Sequence, residues 1–294
     1  MLAVGGLVGL TEDLRRGRPF VQREIVLRSA DQLALAYLRG EAASTALAAG
    51  AAVCFDEIQR TTEPAALIVG HILGPLSCAA LLCDEHGIPL AADAVLCESL
   101  LQHLQLRAVW QEQRLRTLGS PTLICVEEPF LASAANPFSP VDIGWALSVI
   151  ADLCHGLRGA CALDLRGTRL EAEYLALPVH VLIVDALDDD WMGDHATALA
   201  AFLARGGRLA LGLVAASENA ADTSNLHAVT ARLVRVADTL GSAGMTGVQV
   251  AAQIWITSSG DAGALSVAGA DGLLDTLAQV SRHAQAHLFP TDIV

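Results

Sequence analysis

The chain has 294 residues, of which 53% are hydrophobic and 17% are charged, so it can build a large core and is not a disordered chain. Asp and Glu number 32 against 18 basic residues, which gives a formal net charge of −14. Proteins that bind nucleic acids or anionic membranes need a basic surface. The composition therefore argues against both classes of partner and favours a small-molecule substrate or ligand.

All 18 basic residues are arginine, because the chain contains no lysine. Schiff-base aldolases, pyridoxal phosphate enzymes and proteins with a Walker A phosphate loop all require a lysine, so the sequence excludes them. A cation in the active site must then be an arginine, a histidine or a metal ion. We expect no organic cofactor.

The seven cysteines are odd in number and form no C-x-x-C pair, and several lie inside apolar runs. This pattern is typical of buried, reduced thiols in a cytoplasmic protein. The uncharged stretch 64–83 is long enough to span a membrane, but it contains Pro64, Gly70, Gly74 and Pro75. It therefore predicts a strand, a turn and a helix start instead of a membrane helix.

Short apolar runs alternate with helical segments along the chain. The runs are nearly continuous in Val, Ile, Leu and Ala, as expected for strands that are covered on both faces. The predicted strands are 2–8, 52–55, 67–73, 122–126, 160–165, 179–184, 209–214 and 248–256. The predicted helices are 91–118, 141–156, 194–205, 226–240 and 270–286, and Gly206-Gly207 marks the end of the third.

Eight strands that alternate with helices predict a parallel α/β architecture, and eight is the number that closes a (β/α)8 TIM barrel. No linker-like segment rich in Pro, Gly or Ser divides the chain, and no internal repeat is apparent. We therefore expect a single (β/α)8 barrel domain over residues 1–294.

Catalytic residues of such barrels lie where the strands end. The predicted strand ends supply the candidate site residues, which are His71, Glu127, Glu128, Asp164, Arg166, Asp185 and Ser259. Acids at these positions can also cap helices or lie on outer loops, so the pattern alone leaves both roles open.

Four segments carry a resemblance to a known family. They are GHILGPL at 70–76, GSPTLICVEEPFL at 119–131, VLIVDA at 181–186 and FLARGGRLALGLV at 202–214. In this order they resemble strand motifs of cobalamin-independent methionine synthase-like proteins, which belong to the uroporphyrinogen decarboxylase/methionine synthase barrel superfamily. The resemblance covers roughly residues 65–270 and implies the same barrel fold, with transferase (methyltransferase) chemistry on a small molecule.

The resemblance also implies a zinc site, but this chain departs from it. The family's catalytic members bind zinc through H-x-C after strand five, an acid after strand six and a cysteine after strand eight. The matching residues here are Asp164 and Arg166, then Asp185, then Gly260. Of these positions, only Asp185 has the type of residue that the family has there, so we expect no zinc site of the family type. The family's substrate-contacting acidic pair matches Glu127 and Glu128.

A guanidinium can replace the missing metal. Asp164, Asp185 and Glu128 would form a cluster of three carboxylates whose mutual repulsion raises at least one pKa unless a cation compensates it. Arg166 can compensate by forming a two-bond pair with one acid. Two roles of Arg166 then remain open. It either binds a substrate carboxylate as well, as arginines do in the decarboxylase branch of the resembled superfamily, or it only stabilises a site that has lost its activity.

Two further candidates carry weaker signals. His71 follows a predicted strand and is either a base at the substrate or a core histidine. Ser259 lies in the segment Ser258-Ser-Gly-Asp-Ala-Gly263, whose backbone N–H groups could cradle a phosphate.

Three functions are compatible with these patterns. The first is a zinc-free, methionine synthase-like transferase in which Glu127 and Glu128 hold a substrate amine or act as a base and Arg166 binds a substrate carboxylate. The second is a metal-free lyase or decarboxylase. The third is a catalytically inactive barrel that binds a ligand or a partner protein. A homo-oligomer is compatible with each of them.

Overall fold

The protein is described by a computed structural model that covers residues 5–13, 18–47, 53, 55, 57, 60, 65–134, 136, 141–188, 191–218 and 224–287. The chain divides into two compact units, Met1–Leu163 and Asp164–Val294. No helix among the described residues combines the length and the apolar character needed to cross a membrane.

The described residues form an α/β protein. The strands are β1 Leu10–Asp13, β2 Arg18–Val21, β3 Ile68–Leu73, β4 Thr122–Glu127, β5 Ala160–Asp164, β6 Val181–Asp185, β7 Arg208–Val214 and β8 Ile254–Ser258. The α-helices are α1 Arg23–Arg39, α2 Pro75–Leu81, α3 Ala94–Arg116, α4 Leu131–Ala134, α5 Ile143–Gly156, α6 Ala196–Ala204, α7 Ser224–Ser242, α8 Gly247–Gln253 and α9 Val267–His287.

The main sheet has six strands in the order β3-β4-β5-β6-β7-β8, and β1 pairs with β2 in a separate antiparallel hairpin. β3 pairs with β4 in parallel, as do β6 with β7 and β7 with β8. The prediction of a parallel α/β sheet is therefore confirmed for the third to eighth predicted strands. The described residues do not show a closed barrel of eight strands.

The first two predicted strands are wrong wherever the structure describes them. Residues 5–9 form turns, because Gly6 and Gly9 take positive φ angles of 80° and 81° that an extended strand does not contain. In the second predicted strand, Val53 and Phe55 are helical, in an alanine-rich stretch with high helix propensity. The other residues of these two segments, 2–4, 52 and 54, lie outside the described part of the chain.

The eighth predicted strand begins six residues too early. Thr246 and Gln249 form a capping box, in which the side chain of each residue accepts a hydrogen bond from the backbone N–H of the other. This capping box starts α8 at Gly247. The strand then begins at Ile254. The predicted helix stop at Gly206 is confirmed, since α6 ends at Ala204 and Gly206 has a φ of 96°.

The first unit is organised around α3, which contacts α1, α2, α5 and the strands β3 and β4. Asp93 starts this helix by accepting hydrogen bonds from the backbone N–H groups of Val95 and Leu96. Leu100 and Leu104 are fully buried on its inner face. The second unit packs α6, α7 and α9 against β7 and β8.

Candidate functional site

The end of β5 carries an ion pair within the second unit. The Nε of Arg166 lies 3.0 Å from both carboxylate oxygens of Asp164, and its Nη2 lies 2.5 Å from Oδ2. The backbone N–H of Arg166 also donates to Asp164 Oδ1 at 2.9 Å. The side chain of Asp164 is 7% exposed and that of Arg166 is 22% exposed, so this pair is largely withdrawn from solvent. The predicted two-bond pair between Arg166 and one acid is present.

The same guanidinium reaches the segment that follows β8. Nη1 of Arg166 donates to the carbonyl oxygen of Gly260 at 3.0 Å, and Ser258 Oγ donates to the same carbonyl at 2.7 Å. Gly260 occupies the position that the resemblance assigns to a zinc-binding cysteine. The arginine therefore connects two of the positions at which the family would place metal ligands.

Asp185, at the end of β6, forms a hydrogen bond through one of its two carboxylate oxygens. Its Oδ2 accepts a hydrogen bond from the backbone N–H of Gly167 at 2.7 Å, whereas Oδ1 is buried and no described residue forms a hydrogen bond with it. Burial raises the pKa of Asp185, although the Gly167 amide and the Arg166 charge act in the opposite direction. A buried carboxylate oxygen without a donor has a free energy cost that a ligand donor would remove.

Gly212 in β7 explains how Asp185 is accommodated. A Cβ atom at residue 212 would lie 3.2 Å from Asp185 Oδ1, 3.1 Å from the carbonyl oxygen of Ser258 and 2.9 Å from the Cα of Ser259. β7 also has an irregular register against β8 between Gly212 and Val214. A glycine within a strand commonly marks such a close approach, and here it brings two hydrogen-bond acceptors near one another.

Glu128, in the first unit, has a different environment. Its carboxylate is fully buried and accepts hydrogen bonds from the backbone N–H groups of Leu76 and Ser77 at 3.0 and 2.9 Å and from Ser77 Oγ at 2.7 Å. Burial raises the pKa of Glu128 to about 7, and these hydrogen bonds oppose that shift. The carboxylate thus holds the start of α2 to the end of β4.

Gly74 is required for this arrangement. A Cβ at residue 74 would lie 2.2 Å from the Cδ of Glu128, a distance that no side chain tolerates. The G-P-L end of the motif at 70–76 therefore has a steric explanation, since Gly74 leaves room for the carboxylate and Pro75 begins the helix.

His71 and Glu127 form a separate pair on β3 and β4 of the same unit. His71 Nδ1 lies 2.8 Å from Glu127 Oε1, and the two side chains are 53% and 40% exposed. His71 is therefore neither a core histidine nor enclosed, and an exposed pair of this kind contributes little to stability.

Ser259 does not present an open phosphate cradle. Its backbone N–H donates to the carbonyl oxygen of Val214 at 2.9 Å, and the N–H of Gly263 donates to Asp261 Oδ1 at 2.8 Å. Two of the amides that could bind a phosphate are thus already used within the protein.

The structure therefore brings Asp164, Arg166 and Asp185 together in the second unit and places Glu128, Glu127 and His71 in the first. The predicted convergence of Glu128 with the other three residues stays a prediction. Within the described ranges, no group of three or more His, Cys, Asp or Glu side chains is placed to hold a metal ion.

Sequence reasoning missed the roles of Gly167 and Gly212. Gly167 follows Arg166 directly and has a φ of 75°, which favours glycine and aims its N–H at Asp185. The isolated Gly212 inside an apolar run was the available signal for a close approach.

Comparisons with known proteins do not assign the chain to a family. No protein-family model matches it, and no curated protein matches it. A solved structure of a methyltransferase from Methanosarcina mazei is similar over 76% of this chain, with 14% sequence identity and a TM-score of 0.47. The chain spans 62% of the length of that methyltransferase. A similarity of this size assigns neither a family nor an activity.

Proposed function

We propose that the protein is a zinc-free, transferase-like enzyme of (β/α)8 type that acts on a small molecule bearing an N–H, O–H or S–H nucleophile. Two observations support the fold part of the proposal. The six strands of the main sheet follow one another in chain order, as in a barrel and unlike a doubly wound sheet. The motifs at 70–76, 119–131, 181–186 and 202–214 resemble one barrel family in the same order.

The observation that carries the chemical part is the unpartnered Oδ1 of Asp185. A substrate donor placed at this oxygen would satisfy the buried acceptor, and the raised pKa makes the carboxylate a stronger base than an ordinary aspartate. Because Asp164 neutralises Arg166, the charge left in the group is that of Asp185. The electrostatics therefore favour a neutral or cationic donor over an anion.

Asp185 would then accept the proton of the nucleophile. As the nucleophilic N, O or S atom forms a bond to the transferred carbon, its proton passes to Asp185 Oδ1. The bond between that carbon and the leaving atom of a group-donor molecule breaks, and the leaving atom keeps the electron pair. Asp164 and Arg166 are positioning residues, because they fix the loop whose Gly167 amide holds the other oxygen of Asp185.

The pairing of Arg166 changes the substrate expected from the sequence. Asp164 supplies the carboxylate that the Nε and Nη2 atoms of Arg166 bind, and the carbonyl of Gly260 accepts from Nη1. A substrate carboxylate at this arginine would have to compete with Asp164. The proposal therefore rests on a donor group of the substrate, and the decarboxylase alternative loses the arginine that supported it.

A second candidate is a barrel that binds a ligand without catalysis. It is favoured by the same pairing, since a guanidinium held by Asp164 and Gly260 stabilises a site that has lost its metal ligands. In that case the acceptor oxygen of Asp185 still binds a donor group, but no bond is transferred.

A binding and turnover experiment separates these two functions. The probes are amino acids, amino alcohols and small thiols, each tested with isotopically labelled methyl donors. We expect some probes to raise the melting temperature of the wild type, and the Asp185→Asn variant to lose this response. The control Asp275→Asn removes the same charge from the exposed face of α9 and should retain it.

Label found in a product made by the wild type but not by Asp185→Asn supports the enzyme. Binding without labelled product supports the second candidate. Equal responses of Asp185→Asn and the wild type to every probe would contradict both.

Metal analysis tests the zinc-free part of the proposal. We expect untagged purified protein to contain no stoichiometric zinc, because Asp164, Arg166 and Gly260 stand at three ligand positions of the resembled family. Elemental analysis that finds about one tightly held zinc per chain would overturn this part.

A further inference from the structure

Arg107 is a buried cation that the proposed function does not use. It lies in the middle of α3 in the first unit and is only 3% exposed. Its Nη2 donates to the carbonyl oxygen of Gly5, but Nε and Nη1 are buried and have no hydrogen-bond partner among the described residues. A guanidinium has five N–H donors, and a buried one is stable only when acceptors satisfy them.

In the described part of the chain, the groups around Arg107 do not supply a negative charge. Its guanidinium lies over the ring of Trp110, with 5.5 Å between Cζ and the ring centroid, and the Nη2 atom lies near Gly6. No carboxylate among the described residues forms an ion pair with it at 4.0 Å or less. The aromatic face attracts the cation, but it cannot accept the in-plane N–H bonds that Nε and Nη1 offer.

His103 lies one helical turn before Arg107 and shares its environment. It is 2% exposed, and its Nε2 is buried with no hydrogen-bond partner in the described ranges. Burial, together with the nearby charge of Arg107, lowers the pKa of His103 to about 3, so the imidazole is neutral at pH 7. Burial lowers the pKa of Arg107 only to about 10, which leaves the guanidinium charged. Counting only the residues that the structure describes, one positive charge without a counter-charge and three nitrogen atoms without an acceptor lie on one face of α3.

The N-terminal turn at residues 5–7 covers the guanidinium on one side. Gly6 has a φ of 80°, and a Cβ there would lie 3.5 Å from Arg107 Nη2 and 3.8 Å from the carbonyl oxygen of Ala46. The backbone of Gly5 and Gly6 thus lies against the Nη2 atom of Arg107. Local opening of such a turn admits a small ligand without unfolding the helix.

We propose that Arg107 binds a small oxyanion, a carboxylate or a phosphate, at a buried site between α3 and the turn at residues 5–7. The anion supplies the missing negative charge and oxygen acceptors for Nε or Nη1. A bound water would supply an acceptor but no charge. This site is distinct from the acceptor site at Asp185, which favours a donor-bearing molecule.

Thermal unfolding in different salts tests the site. The wild type is incubated with sodium phosphate or sodium acetate and compared with sodium chloride at the same ionic strength, so that general screening is constant. We expect at least one oxyanion to raise the melting temperature progressively with concentration. The salt that raises the melting temperature shows whether the site binds a phosphate or a carboxylate.

Three variants make the test specific. Arg107→Met should weaken oxyanion binding by about tenfold or more, because it removes the charge-assisted donors. In chloride alone it should be at least as stable as the wild type, because an unsatisfied buried cation has been replaced by an apolar side chain. Arg116→Met removes the same charge from an exposed position of α3 and should retain the response, as should Asp185→Asn.

The proposal is overturned if neither oxyanion stabilises the wild type, or if Arg107→Met responds as the wild type does, or if Arg116→Met loses the response equally. If Arg107→Met does not fold, Arg107→Gln replaces it under the same criteria. Crystals grown with selenate provide a direct measurement. Anomalous density at Arg107 supports the site, and density only at surface arginines contradicts it.

Discussion

The two units each place carboxylates at the ends of parallel strands, but they neutralise them in different ways. Glu128 in the first unit is surrounded by two backbone N–H groups and a hydroxyl, and every oxygen is satisfied. In the second unit, Asp164 is paired with a guanidinium, whereas one buried oxygen of Asp185 has no donor among the residues that the structure describes. The difference separates a carboxylate that holds the fold from one that can act on a ligand.

Removing the Glu128 carboxylate should give the largest loss of stability. Glu128→Ala leaves the N–H groups of Leu76 and Ser77 buried without an acceptor, so we expect the free energy of unfolding to fall by about 4 kcal/mol. Glu127→Ala is the matched control, because it removes the neighbouring charge from a half-exposed pair and should change stability by about 1 kcal/mol or less. Urea denaturation measures both. Similar losses in the two variants would mean that Glu128 does not anchor α2.

Breaking the Asp164–Arg166 pair should have a smaller effect. Among the described donors, Arg166→Ala leaves Asp164 with the backbone N–H of residue 166 alone, and removal of one partner of a buried pair costs about 3–5 kcal/mol. Because Arg166 is 22% exposed, we expect about 2–3 kcal/mol here, since solvent can partly replace it. Arg169→Ala removes an exposed arginine three residues later and should be near neutral. If both variants match the wild type in denaturant, the pair does not organise the site.

The pH dependence of stability distinguishes Glu128 from a permanently charged group. Its pKa is raised from 4.5 to about 7 in the folded protein, so the native state binds a proton more tightly than the unfolded state. The free energy of unfolding should therefore fall as the pH rises from about 4.5 to about 7, by at most about 1.4 kcal/mol per pH unit. Glu128→Gln should lack this contribution. Identical slopes in the two proteins across this range would contradict the shift.

Asp185→Asn should produce the smallest change, and in the opposite direction. The raised pKa of Asp185 means that ionisation destabilises the wild type as the pH rises through the folded pKa. The asparagine does not ionise, so we expect the variant to be more stable than the wild type at pH 7, by about 1 kcal/mol. The difference should disappear below the ordinary pKa of an aspartate. A variant that is less stable than the wild type at neutral pH would show that Oδ1 is satisfied.

The sequence predicted those parts of the fold whose physical signal is local. The strand Thr122–Glu127 has a continuous apolar centre, residues 123–126, and burial of a strand on both faces produces that pattern. The run at 2–8 looked similar, but Gly6 and Gly9 bend it into turns. The capping box of Thr246 and Gln249 was readable in the sequence as a helix start and would have corrected the eighth strand.

The candidate site was likewise predictable only where its contacts are local in the sequence. The sequence predicts that Arg166 pairs with one of the acids, and in the structure the partner is Asp164, two positions away in the chain. The bond from Arg166 to Gly260 joins residues 94 positions apart and depends on the order of the strands. Glu127 ends β4 and is half-exposed, whereas Glu128 is buried because it accepts hydrogen bonds from Leu76 and Ser77, which lie 52 and 51 positions earlier in the chain.

The burial of Arg107 in α3 was not predicted from the sequence, for a related reason. His103 and Arg107 repeat at the same helical spacing as Leu100 and Leu104, which places them on the inner face of α3. The helical period was therefore a usable signal, but polar residues in a long helix are ordinarily assigned to the solvent face.

The lack of a Cβ atom at Gly74 has a consequence for sequence variation among relatives. Glu128 can reach the start of α2 only while residue 74 has no Cβ, and a glycine at 74 is otherwise unnecessary because its φ of −73° suits any residue. Positions 74 and 128 should therefore covary, with larger residues at 74 appearing only in chains that have replaced the glutamate. Two positions 54 residues apart would then change as a single evolutionary unit.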